Sequence, residues 1–319
     1  MRTSRFKMAS FLTKYGTILA LFVVFLSFSL LVPGFRSHTN LVNVLRQISL
    51  LFIVSAGFSM TLIVGELDLS FASVASFASV VVAKLIVSGL HPFVGVLGTL
   101  GIGVLIGSIN GLLVTMIGIP SLITTLAMSI IVSGITYMYT KGVSVYGRMP
   151  SGFLMLGRGN LGPVPMLVFI MFLYLLVSQL FLSKTKFGRH MQAVGGNRTA
   201  ALLAGIRVNT YRALGMIISS VSAAFMGILL TSRLGAANPE GAAGFLMDGF
   251  ATALLGQTVI NLGRASPFGT FIGALLIGTL NNGLTLLGVP YYVHDIAKGL
   301  IIILSVVVTS IQALRLERA

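Results

Sequence analysis

The chain has 319 residues, of which 56% are hydrophobic and 8% charged, against about 25% charged in an ordinary soluble domain. With a mean hydropathy of +1.02, its apolar residues exceed what one water-surrounded core can bury, which excludes a soluble globule and makes lipid the natural solvent. The 21 Lys and Arg against 6 Asp and Glu give +15, and in this setting the bases mark loop orientation rather than a nucleic-acid partner. The absence of cysteine excludes disulfides, thiolate metal sites and a cysteine nucleophile.

Apolar runs of about 20 residues predict ten spans, near 15–33, 41–64, 69–88, 93–117, 121–139, 163–182, 211–232, 244–262, 267–287 and 293–311. The first follows Arg2, Arg5, Lys7 and Lys14 as a signal peptide would, but it has no small-residue cleavage site and ends in Val32-Pro33-Gly34-Phe35, so it reads as a retained helix. Four bases lie in 1–16, six in 183–212 (Lys184, Lys186, Arg189, Arg198, Arg207, Arg212) and two at the end, Arg315 and Arg318. Ten spans with a cytoplasmic N-terminus put these three segments on the cytoplasmic side, where the positive-inside bias demands them. Lys141, Arg148 and Arg158 in the outer 140–162 loop are the main exception. The other loops are too short to fold alone. The expectation is therefore one all-α, polytopic membrane domain over 1–319.

Gly98-Thr99, Ile106-Gly107 and Asn110 recur as Gly269-Thr270, Ile277-Gly278 and Asn281 at a constant offset of 171 residues, each run leading to a Gly-hydrophobic-Pro at Gly118-Ile119-Pro120 and Gly288-Val289-Pro290. The copies fall in the fourth and ninth predicted spans, and an odd separation makes them cross in opposite senses. That predicts two inverted five-helix repeats, although small residues at such spacing also serve close helix packing.

The acids are Glu66, Asp68, Glu240, Asp248, Asp295 and Glu317. A carboxylate at the bilayer centre costs about 2.5–3.5 kcal/mol on insertion scales, so Glu66 and Asp68, flanked by apolar runs, must face a loop, a cavity or a partner. In Val64-Gly65-Glu66-Leu67-Asp68-Leu69-Ser70 the glycine can break one helix while Asp68 or Ser70 caps the next. This is either a broken helix that binds a hydroxylated solute or a plain cytoplasmic turn. Asp248 occupies a comparable place in the second half, and Asn110, Asn281 and Asn282 lie within apolar spans as interhelical glue or solute contacts. The histidines His38, His91, His190 and His294 share no metal-ligand spacing, and neither a Gly-x-Ser-x-Gly elbow nor a phosphate loop occurs, so no catalytic or metal site is expected.

In the basic loop, Asn197 is a good N-cap, Arg198 to Ala204 are mostly helix formers and Gly205 is a stop. The resulting surface helix is too short to hold alone, and its Ala200, Leu203 and Ala204 stripe should dock on headgroups or on a soluble cytoplasmic subunit.

Gly65-Glu66-Leu67-Asp68-Leu69-Ser70 resembles the Gly-Gly-Ile-Asp-Leu-Ser of the membrane permeases of bacterial ribose-type sugar ABC importers, a group that also holds branched-chain amino-acid and nucleoside permeases. The run from Gly195-Gly196-Asn197 to Gly205-Ile206 is similar to their cytoplasmic coupling helix, and the resemblance covers nearly the whole chain. It implies an inner-membrane, multi-pass subunit with cytoplasmic termini and no cofactor of its own, ATP being bound by a partner ATPase. It also implies a second permease subunit and a periplasmic solute-binding protein. Within a 183–210 coupling loop, Gly195, Gly196, Asn197, Ala200, Ala201, Gly205 and Ile206 match the ATPase-coupling segment. Asp68 and Ser70 match the sugar-type motif, and Asn110, Asp248, Asn281 and Asn282 are the further pathway candidates. The chain departs from the family at Glu66, where glycine is usual, and at Gly256-Gln257-Thr258-Val259-Ile260-Asn261-Leu262-Gly263, where the family reads Gly-Gly-Thr-Ser-Leu and then Gly-Gly. An ion-coupled secondary transporter is the main rival reading, with Asp68, Asp248 or Asp295 as the seed of its ion site.

Overall fold

The computed structural model describes residues 2–259, 263–290, 292–303 and 307, with backbone alone for 2–15. Its helices in chain order are α1 (Arg2–Leu31), α2 (His38–Ile63), α3 (Phe71–Val87), α4 (Pro92–Leu112), α5 (Ser121–Thr140), α6 (Ser151–Arg158), α7 (Met166–Lys184), α8 (Lys186–Gly196), α9 (Arg198–Leu203), α10 (Val208–Leu234), α11 (Phe245–Gly256) and α12 (Pro267–Leu286). A π turn over Leu113–Ile117 extends α4, and 292–303 is helical. Strand pairing in the described residues is limited to two short antiparallel contacts, Val145–Tyr146 with Ala236–Ala237 and Asn160–Leu161 with Val164–Pro165.

The chain is an all-α, polytopic membrane protein. Among the described residues six helices, α2, α4 with its π turn, α5, α7, α10 and α12, are long and apolar enough to cross a membrane, while Gly16–Leu31, α3 and α11 are shorter apolar helices. The eighth predicted segment is cut short: α11 ends at Gly256, a residue at which the backbone of Gly269 and Thr270 in α12 leaves no room for a side chain. Residues 260–262, and 304–306 and 308–311 of the last predicted segment, lie outside the described residues. Two predicted loops carry helices of their own, α6 in 140–162 and the pair α8 and α9 in 183–212. α6 is seated by the burial of Phe153 and Gly157, the latter against the Arg233 backbone.

At the centre lies α2, buried without interruption from Ile48 to Thr61, as expected of a helix that is apolar on every side. Its Ser49, Ser55, Ser59 and Thr61 hydroxyls donate to carbonyls one turn back, so their polarity needs no outside partner. α4 leans on α10 through Gly107, where a methyl group would lie 2.6 Å from the Ile217 Cα, and α12 leans on α2 through Gly278, where it would strike the Ile48 side chain. The repeated pair Gly107 and Gly278 therefore serves close helix approach, whereas a methyl group on Gly98 would meet nothing within 4 Å. The opposite faces of α4 and α5 expose Leu105, Met116, Ile130 and Met138, as lipid contact requires.

Candidate functional site

Three polar assemblies hold most of the residues that the sequence singles out. The first is the linker between α2 and α3. Gly65 turns the chain with a φ of +74°, a conformation that costs glycine little. Asp68 is fully buried, and its Oδ1 accepts from the Ser70 amide at 2.8 Å and the Ser70 hydroxyl at 2.6 Å. Asn110 Nδ2 of α4 donates to Ser70 Oγ at 3.1 Å. Two linker amides are taken by α5, Leu67 N donating to Ser121 Oγ at 3.2 Å and Leu69 N to Thr125 Oγ1 at 3.0 Å. Asp68 Oδ2 and Asn110 Oδ1 have no hydrogen-bond partner among the described residues. Asp68→Ala strands two buried donors and should lower stability by about 3 kcal/mol, read as a fall in the unfolding midpoint in detergent. Asp68→Asn keeps an oxygen acceptor and should lose roughly half as much or less.

The second assembly joins α11, α12 and the 292–303 helix. Asn281 Nδ2 donates to Asp248 Oδ2 at 2.8 Å, and Lys298 Nζ lies 2.8 Å from Asp248 Oδ1 and 3.8 Å from Asp295 Oδ1. These groups line a cavity of about 740 Å³ with Gln47, Thr285 and His294. A lysine in an apolar segment demands an acid, and that was the available signal for Lys298; Gln47 gave none. Asn110 and Asn281, the matched residues of the sequence repeat, thus each hydrogen-bond into an acid-centred cluster. Asn282 belongs to neither cluster. It exchanges amide hydrogen bonds with Asn40 at 3.0 and 2.9 Å, clamping α12 to α2.

The third assembly is the basic loop. Thr185 caps α8, whose Met191 and Val194 pack with Met60, Ile63 and Val64 at the end of α2. Gly195 sits against the Ile63 carbonyl, and Gly196 faces open space. Asn197 Oδ1 accepts from the Ala200 amide at 2.9 Å, capping α9, and Gly205 leaves it with a φ of +77°. Ala200, Leu202 and Leu203 are exposed, whereas Ala201, grouped by sequence with the coupling residues, is turned into the membrane body and is unavailable to a partner; Ile206 is half-buried. Arg198 and Arg212 converge on the buried Glu66, a junction sequence reasoning missed because the partners lie over 130 residues apart.

The model of the family described as branched-chain amino acid transport system / permease component matches residues 40–306. The ribose import permease protein of Bacillus subtilis (strain 168) is 36% identical over 92% of this chain and 91% of its own length. The D-allose transport system permease protein of Escherichia coli is 33% identical over 94% of this chain and 93% of its own. The L-arabinose ABC transporter permease protein of Azospirillum brasilense is 30% identical over 92% and 87%. No solved structure gives a significant match.

Proposed function

This chain belongs to the family of branched-chain amino acid transport system permease components, and on that footing we propose that it is the transmembrane subunit of an ATP-driven importer for a sugar or related polyhydroxylated solute. The observation that carries the solute class is the end-to-end similarity to permeases named for ribose, allose and arabinose. The cavity around Asp248 supports it, since Lys298 offsets the half-buried carboxylate and the rest of the polar lining is the exposed Asp295 carboxylate, two amides, a hydroxyl and an imidazole. Such a set of hydrogen-bond acceptors and donors suits a solute rich in hydroxyls.

In this reading the chain has no catalytic residue. A cytoplasmic ATPase binds and hydrolyses ATP, a periplasmic protein delivers the solute, and a second permease subunit completes the pathway in the bacterial inner membrane, with both termini cytoplasmic. The chain spans the bilayer ten times in two inverted five-helix repeats. The reciprocal packing of Gly107 on α10 and Gly278 on α2, and the matched roles of Asn110 and Asn281, support that arrangement. The Asp68 cluster lies toward the cytoplasmic end and the Asp248 cavity toward the periplasmic end. ATP-driven closure of the ATPase moves α9, and rigid helices carry that movement to the pathway.

The test is reconstitution of the chain with its ATPase and binding protein in liposomes, with uptake measured for labelled aldoses and branched-chain amino acids. Accumulation of an aldose only when ATP is supplied is the expected result. Uptake by the chain alone, driven by a proton or sodium gradient, would overturn the reading in favour of a secondary transporter, and selective amino-acid uptake would overturn the solute class.

A further inference from the structure

Glu66 stands one residue beyond the Gly65 turn and is only 5% exposed. One of its oxygens, Oε1, accepts from Arg198 Nη2 and from Arg212 Nε, each at 2.6 Å. Arg198 is the first residue of α9, and the same Nη2 donates to the Gly65 carbonyl at 2.8 Å. Arg212, in the second turn of α10, passes the network on. Its Nη1 donates to Asn209 Oδ1 at 3.3 Å, and Asn209 Nδ2 donates to Thr115 O in the π turn at 3.1 Å.

This polar chain starts at an exposed helix and ends on both sides of the Asp68 cluster. Glu66 is two residues before Asp68 in the same linker, and Thr115 follows Asn110 along α4 and its π turn. Packing alone does not call for a carboxylate here. The contacts of Met191, Val194 and Ala201 with Met60, Ile63 and Val64 already seat the loop, and burying an ion costs stability unless its partners are held in good geometry. What the ionic link adds is direction. An apolar contact lets surfaces slide, whereas a carboxylate shared by two fixed guanidinium groups resists displacement along either bond.

We infer that Glu66, through Arg198 and Arg212, is a positioning residue that ties α9 to the Asp68–Ser70–Asn110 cluster. Displacement of α9 by a partner then moves that cluster with it. The inference rests on the reading that α9 receives the motion of an ATP-hydrolysing partner.

The test compares the reconstituted importer carrying the parent chain, Glu66→Gln, Arg198→Gln and the double variant, measuring solute moved per ATP hydrolysed and the unfolding midpoint of the complex. Each single variant should lower the transport-to-hydrolysis ratio roughly tenfold while hydrolysis stays within about a factor of two, and the double variant should fall no further. A ratio equal to the parent's would overturn the link. So would a parallel loss of transport, hydrolysis and midpoint, which marks a merely structural role. Should Glu66→Gln fail to assemble, Arg198→Gln decides alone, because its side chain is 47% exposed and its loss leaves the packed body intact. A parent importer that needs no ATP would sink the functional reading, and this inference with it, whatever the variants do.

Discussion

Arginine in place of Leu203 should leave the membrane body folded and cut ATP-driven uptake roughly 30-fold, the equivalent of about 2 kcal/mol at an interface hot spot. Leu203 is 84% exposed and Leu202 64% exposed, on a helix of six residues fixed by the Asn197 cap and the Gly205 exit. A helix that short is not held by its own hydrogen bonds; Ala201 and the α8 packing hold it in place. Its two leucines therefore contribute nothing to the fold and are available to a partner. Co-purification with the ATPase and solute uptake, each set against an unchanged unfolding midpoint, are the measurements. Undiminished uptake would place the ATPase contact elsewhere.

Gly195→Ala should destabilise the protein by about 3 kcal/mol, the upper part of the range for overpacking, and should abolish transport in whatever fraction still folds. The added methyl would overlap the Ile63 carbonyl oxygen. That atom is backbone at the end of the central helix, so the conflict cannot be relieved by a rotamer change. Relief means lifting α8 off α2, and α9 moves with it. Gly196→Ala is the internal control, since a methyl there meets nothing within 4 Å. Unfolding midpoints in detergent and uptake, measured on both variants, should separate them widely. Equal behaviour would contradict the close approach of α8 to α2.

Much of this was legible in the residues. Hydropathy located the long helices, because lipid forces each span to be apolar for its whole length. Asn197 and Gly205 marked α9, because capping chemistry is local. What was not legible is long-range or side-dependent. The direction in which Ala201 points depends on how α9 rests on α8 and α10, and a six-residue helix carries too little periodicity to tell. Ser121 and Thr125 could not be read as acceptors for Leu67 and Leu69, since nothing local links α5 to the linker. Asn282, adjacent to Asn281, gave the same composition signal, but neighbouring helical residues point in different directions, and one faces Asp248 while the other faces Asn40. Glu66 was visible as a departure from the family pattern, and only the fold shows that two arginines answer it.

The π turn after α4 marks a difference in length between the matched runs. One more residue separates Asn110 from Gly118 than separates Asn281 from Gly288, and both glycines leave their helices in the left-handed region, with φ of +85° and +67°. An ordinary helix given an extra residue would rotate everything beyond it by about 100°. The wider turn absorbs the residue in place, so the chain departs in the same manner from both copies. The widened turn also holds the Thr115 carbonyl that Asn209 engages. The surplus residue therefore lies where α4 meets the start of α10, next to the basic loop.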